Sequence, residues 1–200
     1  MARAIDFYFD FVSPYSYLAN TQLPRLARQH GVQIVYKPFR LLDLMKLVGN
    51  RPTTIECKNK QRYAGADLRR WAARYGASLR RNPNLRKIDT ALLLRGALIA
   101  ADDGDAAPYV SAVFGAVWNG ERDLSHHAEL VDVLEEAGLA GEKLLEGAAS
   151  DEVAARLDRE TAAAAERGVF GSPSFFVGDE LYFGNDRLDF VADALDARKA

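Results

Sequence analysis

Asp10-Phe11-Val12-Ser13-Pro14-Tyr15-Ser16-Tyr17-Leu18-Ala19 joins two kinds of periodicity, and its reading decides the fold. Before it, Ile5, Phe7, Phe9 and Phe11 alternate with Asp6, Tyr8 and Asp10, the pattern of a strand with one apolar face. After it, Leu18, Leu23, Leu26 and Ala27 recur at helical spacing. The stretch is therefore a strand-to-helix turn. Ser13 stands where an N-cap belongs, and Pro14 occupies the first helical position, where its missing N–H costs nothing. Taken alone, this is ordinary capping chemistry. It also aims unpaired amides and the positive end of a helix dipole at whatever lies above them, which suits a thiolate or another anion.

Working outward, the far end of the chain supplies a matching piece. Gly168-Val169-Phe170-Gly171-Ser172-Pro173-Ser174-Phe175-Phe176-Val177 sets an X-Pro bond directly before a short β-type run. Gly184-Asn185-Asp186-Arg187-Leu188 then opens a second helical pattern. Between the two ends, the 200 residues suit one domain, or one domain carrying an insertion. Net charge is −2, with basic and acidic residues interspersed, so no nucleic-acid surface is expected. No apolar run approaches the roughly 18 residues that span a bilayer, and the amino terminus lacks a positive, apolar, small-residue leader pattern. The expectation is a cytoplasmic protein without a membrane partner. Cys57 is the single cysteine, which leaves neither an internal disulfide nor a CxxC pair.

In chain order, the first helix runs from about Ser13 to His30-Gly31, and Val32 to Phe39 reads as a second strand, parallel to the first through a right-handed crossover. From about Asp43 to Arg167 the pattern is helical. Leu68, Trp71, Ala72 and Tyr75 mark one face; Tyr109, Val110, Val113, Phe114, Val117 and Trp118 mark another; Ser150 to Arg167 forms an alanine-rich helix stopped by Gly168. Ser174 to Val177 and Leu181 to Phe183 then form an antiparallel pair about a Gly178-Asp179 turn, and a last helix starts at about Asn185. The fold class is α/β: one sheet built from both chain ends, residues 1–42 and 168–200, with an all-helical domain, residues 43–167, inserted after the second strand.

Five phrases carry a resemblance: Phe9 to Ala19, Gly49-Asn50-Arg51-Pro52, Asp67-Leu68-Arg69-Arg70-Trp71-Ala72, Gly168 to Pro173, and Phe183-Gly184-Asn185-Asp186-Arg187-Leu188. Together, nearly end to end, they resemble 2-hydroxychromene-2-carboxylate isomerases, which belong with kappa-class glutathione transferases in the DsbA-like branch of the thioredoxin fold. That resemblance implies a cis Ser172-Pro173 bond facing the start of the first helix, and glutathione as cofactor lying across the proline loop. Ser13 would contact its sulfur. Ser13-Pro14-Tyr15-Ser16 stands where a redox relative carries CxxC, so the chain cannot exchange disulfides there but can host another molecule's thiol.

Carried over by position, Ser172 and Pro173 would align the cysteinyl backbone by strand addition. Asp186 would hold the γ-glutamyl ammonium, Asn185 with helix amides its carboxylate, and Asn50 and Lys58 would reach the tripeptide from the helical block. On local grounds alone, Asn185-Asp186 equally reads as a capping pair, Asn50 as a turn residue and Lys58 as a solvated lysine. Ser172 departs from the bulkier apolar residue usual at its position, and Cys57 is not expected beside Lys58. His126-His127 lacks metal-ligand spacing and reads as polarity at a helix start, so no metal is expected.

The implied activity interconverts 2-hydroxychromene-2-carboxylate and trans-o-hydroxybenzylidenepyruvate, an aromatic-degradation step in which glutathione acts as a returned covalent catalyst. The small aromatic carboxylate requires a cation or N–H donors, and Lys37, Arg40, Arg62 and Arg69 are the candidate cations. A homodimer is compatible with this reading. The rivals are a kappa-like transferase or peroxidase, which consumes glutathione, and a non-catalytic thioredoxin-fold binding protein.

Overall fold

A computed structural model of the chain describes residues 4–197. Strand β1 (Ala4–Phe9) leads into helix α1 (Pro14–His30) and returns as β2 (Gln33–Pro38), parallel to β1 with Phe7 opposite Tyr36. The ends of α1 are set by local chemistry. Ser13 is extended, with φ −91° and ψ 110°, and its hydroxyl accepts the Ser16 amide. Gly31 takes the left-handed conformation, φ 62°, that lets its own N–H return to the carbonyls of Ala27 and Arg28.

Helices α2 (Leu41–Leu47), α3 (Thr53–Glu56), α4 (Lys58–Tyr75), α5 (Thr90–Asp102), α6 (Ala106–Trp118), α7 (His127–Glu136), α8 (Gly141–Ala148) and α9 (Asp151–Glu166) follow. Among the described residues no strand interrupts them. The chain then re-enters the sheet as β3 (Ser174–Val177), antiparallel to β1, and β4 (Glu180–Phe183), antiparallel to β3. The sheet order is β2-β1-β3-β4, so the first and last thirds of the chain meet at its centre. A 3₁₀ turn (Asn185–Arg187) precedes α10 (Leu188–Ala197). The last α-helix thus begins one turn later than its polar start suggests, because Gly184 at φ 104° swings the chain through that turn first.

The core is aromatic and shared between sheet and helices. Phe7 stacks on Phe9 at 5.1 Å and on Phe175 at 5.4 Å, while Phe11 meets Phe114 of α6 edge-on at 4.8 Å. Phe7, Phe9, Phe11, Phe114 and Phe175 are fully buried, each burial contributing roughly 1.5–3 kcal/mol. Trp118 of α6 donates its indole N–H to the Phe11 carbonyl at 2.8 Å, which ties the helical block to the β1–α1 turn.

Strict alternation along β1 places Tyr8 with the polar residues, yet it is buried. A smaller cluster of Phe39, Leu44, Ala164, Val169 and Phe176 covers the second face of the sheet. Arg167, just past α9, closes that face. Its guanidinium donates to Asp6 at 2.6 Å, to the Tyr8 hydroxyl at 2.9 Å and to the Gly178 carbonyl at 3.1 Å, and lies 3.9 Å from the Phe176 ring centroid.

Candidate functional site

The start of α1 can be accounted for amide by amide. Ser13 N–H donates to Asp10 O, Ser16 N–H to Ser13 Oγ, and Tyr17 N–H to Ser13 O, while Pro14 has none. That leaves the Tyr15 amide as the open donor of the first turn among the described residues, at the positive end of the helix dipole.

The proline loop lies against this turn. Ser172-Pro173 is cis, as the resemblance implies. Ser13 Oγ donates to the Ser172 carbonyl at 3.1 Å; Ser172 Oγ accepts the Asp10 amide at 3.1 Å and lies 2.6 Å from Ser16 Oγ. Three hydroxyls thus converge where a redox relative would place sulfur. Ser13 and Ser16 are buried, whereas Ser172 is half-buried. Ser13 therefore acts both as the cap of α1 and as a tie to the loop, and its one proton is committed to Ser172.

Beneath the turn, the Asp10 carboxylate is buried and accepts the amides of Val12 at 3.1 Å and Leu41 at 2.8 Å. Burial pushes its pKa up to about 6, against the opposing effect of those two hydrogen bonds and of Arg40. Sequence reading passed over Asp10 because a single acid at a strand end carries no spacing signal. It likewise missed Tyr15, whose hydroxyl donates to Asp67 of α4 at 3.1 Å; burial first, then Asp67, holds this phenol protonated.

On the other side of the loop, Gly184 N–H donates to Pro173 O at 3.0 Å, placing the Asn185–Arg187 turn beside the cis bond. Asn185 is buried; its carbonyl accepts the Tyr75 hydroxyl at 2.6 Å, and its Nδ2 is a buried donor without a partner among the described residues. Such an orphan carries a desolvation cost that a water or ligand acceptor relieves. The N-cap position of the turn is held by Gly184, not by Asn185 or Asp186. Asp186 is exposed and paired with Arg187 at 2.7 Å.

Asn50 is exposed, and its Nδ2 donates to Phe170 O at 2.8 Å, docking the α2–α3 connection on the proline loop. Lys58 stands exposed at the first position of α4, outside these contacts. The neighbouring Cys57 is exposed, its thiol drawn down by the amides of Lys60 and Asn59. Of the four candidate cations, Arg40 is ion-paired with Asp43 and Asp158, Lys37 is half-buried on β2, and Arg62 and Arg69 are exposed on α4.

Ser13, Ser172, Pro173, Asn185 and Asp186 are thus gathered around one loop, with Asn50 bonded to its outer end. No described helix is long and apolar enough to cross a membrane.

Known proteins resemble this chain in sequence and fold. The sequence profile of the DSBA-like thioredoxin domain matches residues 4–196. The chain is 40% identical over 197 residues to a 2-hydroxychromene-2-carboxylate isomerase of Pseudomonas putida, covering 96% of this chain and 93% of that protein. A solved structure of a 2-hydroxychromene-2-carboxylate isomerase superposes with a TM-score of 0.87 at 36% identity, covering 97% of this chain and 95% of the other. Glutathione S-transferase kappa 1 of Caenorhabditis elegans is 28% identical over 204 residues, 96% of this chain and 90% of that protein.

Proposed function

Since this chain belongs to the 2-hydroxychromene-2-carboxylate isomerase family, within the DSBA-like thioredoxin-domain proteins, we propose that it is a glutathione-dependent isomerase interconverting 2-hydroxychromene-2-carboxylate and trans-o-hydroxybenzylidenepyruvate. The observation that carries this reading is the meeting of Ser13, Ser16 and Ser172 at the start of α1, where hydroxyls and an open amide replace a redox pair. In this reading residues 1–42 and 168–200 form the glutathione-binding unit, and residues 43–167 an inserted helical domain.

The residues present fit glutathione. The tripeptide brings a thiol, an ammonium, two carboxylates and peptide groups; the site offers hydroxyls and the Tyr15 amide for the first, Asp186 for the second, and the orphan Asn185 Nδ2 for a carboxylate. When bound, glutathione would supply a nucleophilic thiolate that is returned at the end of the cycle. The chain's own part is electrostatic. The α1 amide and dipole favour negative charge on sulfur, and Ser13 joins them by releasing the Ser172 carbonyl and turning its proton outward. Ser172 and Pro173 align the peptide backbone, Asn185 and Asp186 hold its γ-glutamyl end, and Asn50 and Lys58 complete the hold from the helical block. Tyr15 stays protonated, its one phenol proton donated to Asp67. Arg62 and Arg69 are the exposed candidates for the substrate carboxylate, Arg40 being already paired.

The test is incubation with the chromene carboxylate, with and without glutathione, followed by absorbance and by a thiol assay. Conversion that requires glutathione and leaves its concentration unchanged supports the isomerase; stoichiometric loss of thiol assigns a transferase instead.

A further inference from the structure

The three hydroxyls carry three protons, and their partners fix where each one points. Ser13 has one proton, and it is given to the Ser172 carbonyl at 3.1 Å. Between Ser16 Oγ and Ser172 Oγ, 2.6 Å apart, either oxygen could donate by distance alone. Burial decides. Ser16 is 0% exposed, so its proton needs an acceptor inside the protein, and Ser172 Oγ is the one within reach. The Asp10 amide also donates to Ser172 Oγ, at 3.1 Å. A hydroxyl oxygen accepts two hydrogen bonds. With both lone pairs filled, the proton of Ser172 has to point away from Ser16 and Asp10. Of the three serines, Ser172 is also the one that is not buried.

We propose that the Ser172 hydroxyl is a catalytic group of this protein, donating its uncommitted proton to the sulfur of bound glutathione. Ser16 and the Asp10 amide are the positioning groups that orient it. This rests on the reading of the site as a glutathione site, and it goes beyond the backbone role assigned above to Ser172. The bond is charge-assisted in the thiolate and weak in the thiol, so it acts on acidity: the S–H proton leaves to solvent at lower pH while the tripeptide's other contacts stay as they were. In the free protein Ser172 is ready, whereas Ser13 has to exchange a bond before it can join.

The experiment is a thiolate-absorbance titration of bound glutathione, beside calorimetry, on the parent and on Ser172→Ala, Ser172→Thr and Ser16→Ala. Ser172→Ala is expected to hold about tenfold less thiolate at neutral pH, with Ser172→Thr restoring most of it. Ser16→Ala is expected to lose part of the thiolate, about threefold, because the Asp10 amide alone then holds the Ser172 oxygen and its proton is less firmly aimed at sulfur. Weaker glutathione binding by Ser172→Ala with unchanged thiol acidity would reduce Ser172 to a loop contact and overturn the proposal. So would equal losses in the Ala and Thr variants, or a rise in thiolate in Ser16→Ala, which would mean that Ser172 had been donating inward. Absence of glutathione binding to the parent would instead overturn the glutathione reading, and the proposal with it.

Discussion

The Asp10 carboxylate accepts the Leu41 amide at 2.8 Å, joining the end of β1 to the first residue of α2 directly beneath the hydroxyl cluster. This carboxylate is buried and its pKa is raised to about 6, with burial the leading cause. The unfolded chain binds the same proton only below about pH 4. Between those values the native state holds more protons than the unfolded one, so this group's contribution to stability falls as pH rises from about 4 through about 6. Acids with lowered pKa, such as Asp102 beside Arg156, contribute the opposite slope at lower pH. The expected outcome for Asp10→Asn, measured by urea denaturation from pH 4 to 8, is a stability difference from the parent that shifts in the variant's favour as pH rises through 6. A pH-independent difference would mean that Asp10 titrates normally.

Ser13→Ala removes the α1 cap and the tie to Ser172 together. Unfolding free energy is expected to fall by about 1 kcal/mol, within the range of about 0.5–2 for lost caps. Bound glutathione should also become a weaker acid, with roughly tenfold less thiolate near neutrality and part of the rate recovered at higher pH. A variant that loses stability but keeps thiol acidity would show that Ser13 never releases the Ser172 carbonyl.

Asp186→Asn tests the ammonium contact. The carboxylate is exposed and shared with Arg187, so the full value of a charged hydrogen bond is discounted for solvent. The dissociation constant for glutathione is expected to rise about 10-fold, at unchanged thiol acidity. Calorimetry that finds parent-like affinity would leave Asp186 with Arg187 as its only role.

Arg167→Met tests the clamp on the second sheet face. The variant keeps apolar cover over Phe176 but loses the bonds to Asp6, Tyr8 and Gly178. A loss of about 1–2 kcal/mol is expected, partly screened because the guanidinium is one-third exposed. Arg167→Lys should recover little, since a point charge cannot serve three acceptors and a ring in one plane.

Much of this molecule was legible in its residues. The alternation of Ile5, Phe7 and Phe9, the Ser13-Pro14 start, the Gly31 stop and the Gly178-Asp179 turn each express a backbone preference acting over a few residues, and each stands where the spacing placed it. Where the structure departs from local pattern, distant packing is the cause. Alternation groups Tyr8 with Asp6 and Asp10, opposite the apolar face of β1, but α9, more than 140 residues later, covers it. Asn185 and Asp186 do stand at the start of the last helical segment, but Gly184 takes the N-cap and a 3₁₀ turn precedes the α-helix.

The sequence alone determined the order of elements, the absence of a redox cysteine pair, and the family resemblance carried by motifs nearly end to end, because these depend on residue identity and short-range spacing. Only the tertiary structure decided what those residues do to one another. Ser13 and Ser172 lie 159 positions apart, and nothing local to either says that the first spends its proton on the second. The raised pKa of Asp10 and the orphaned amide of Asn185 arise the same way. Burial and hydrogen-bond partnership are properties of the packed sheet, set when β3 docks antiparallel on β1 and closes the proline loop over the start of α1.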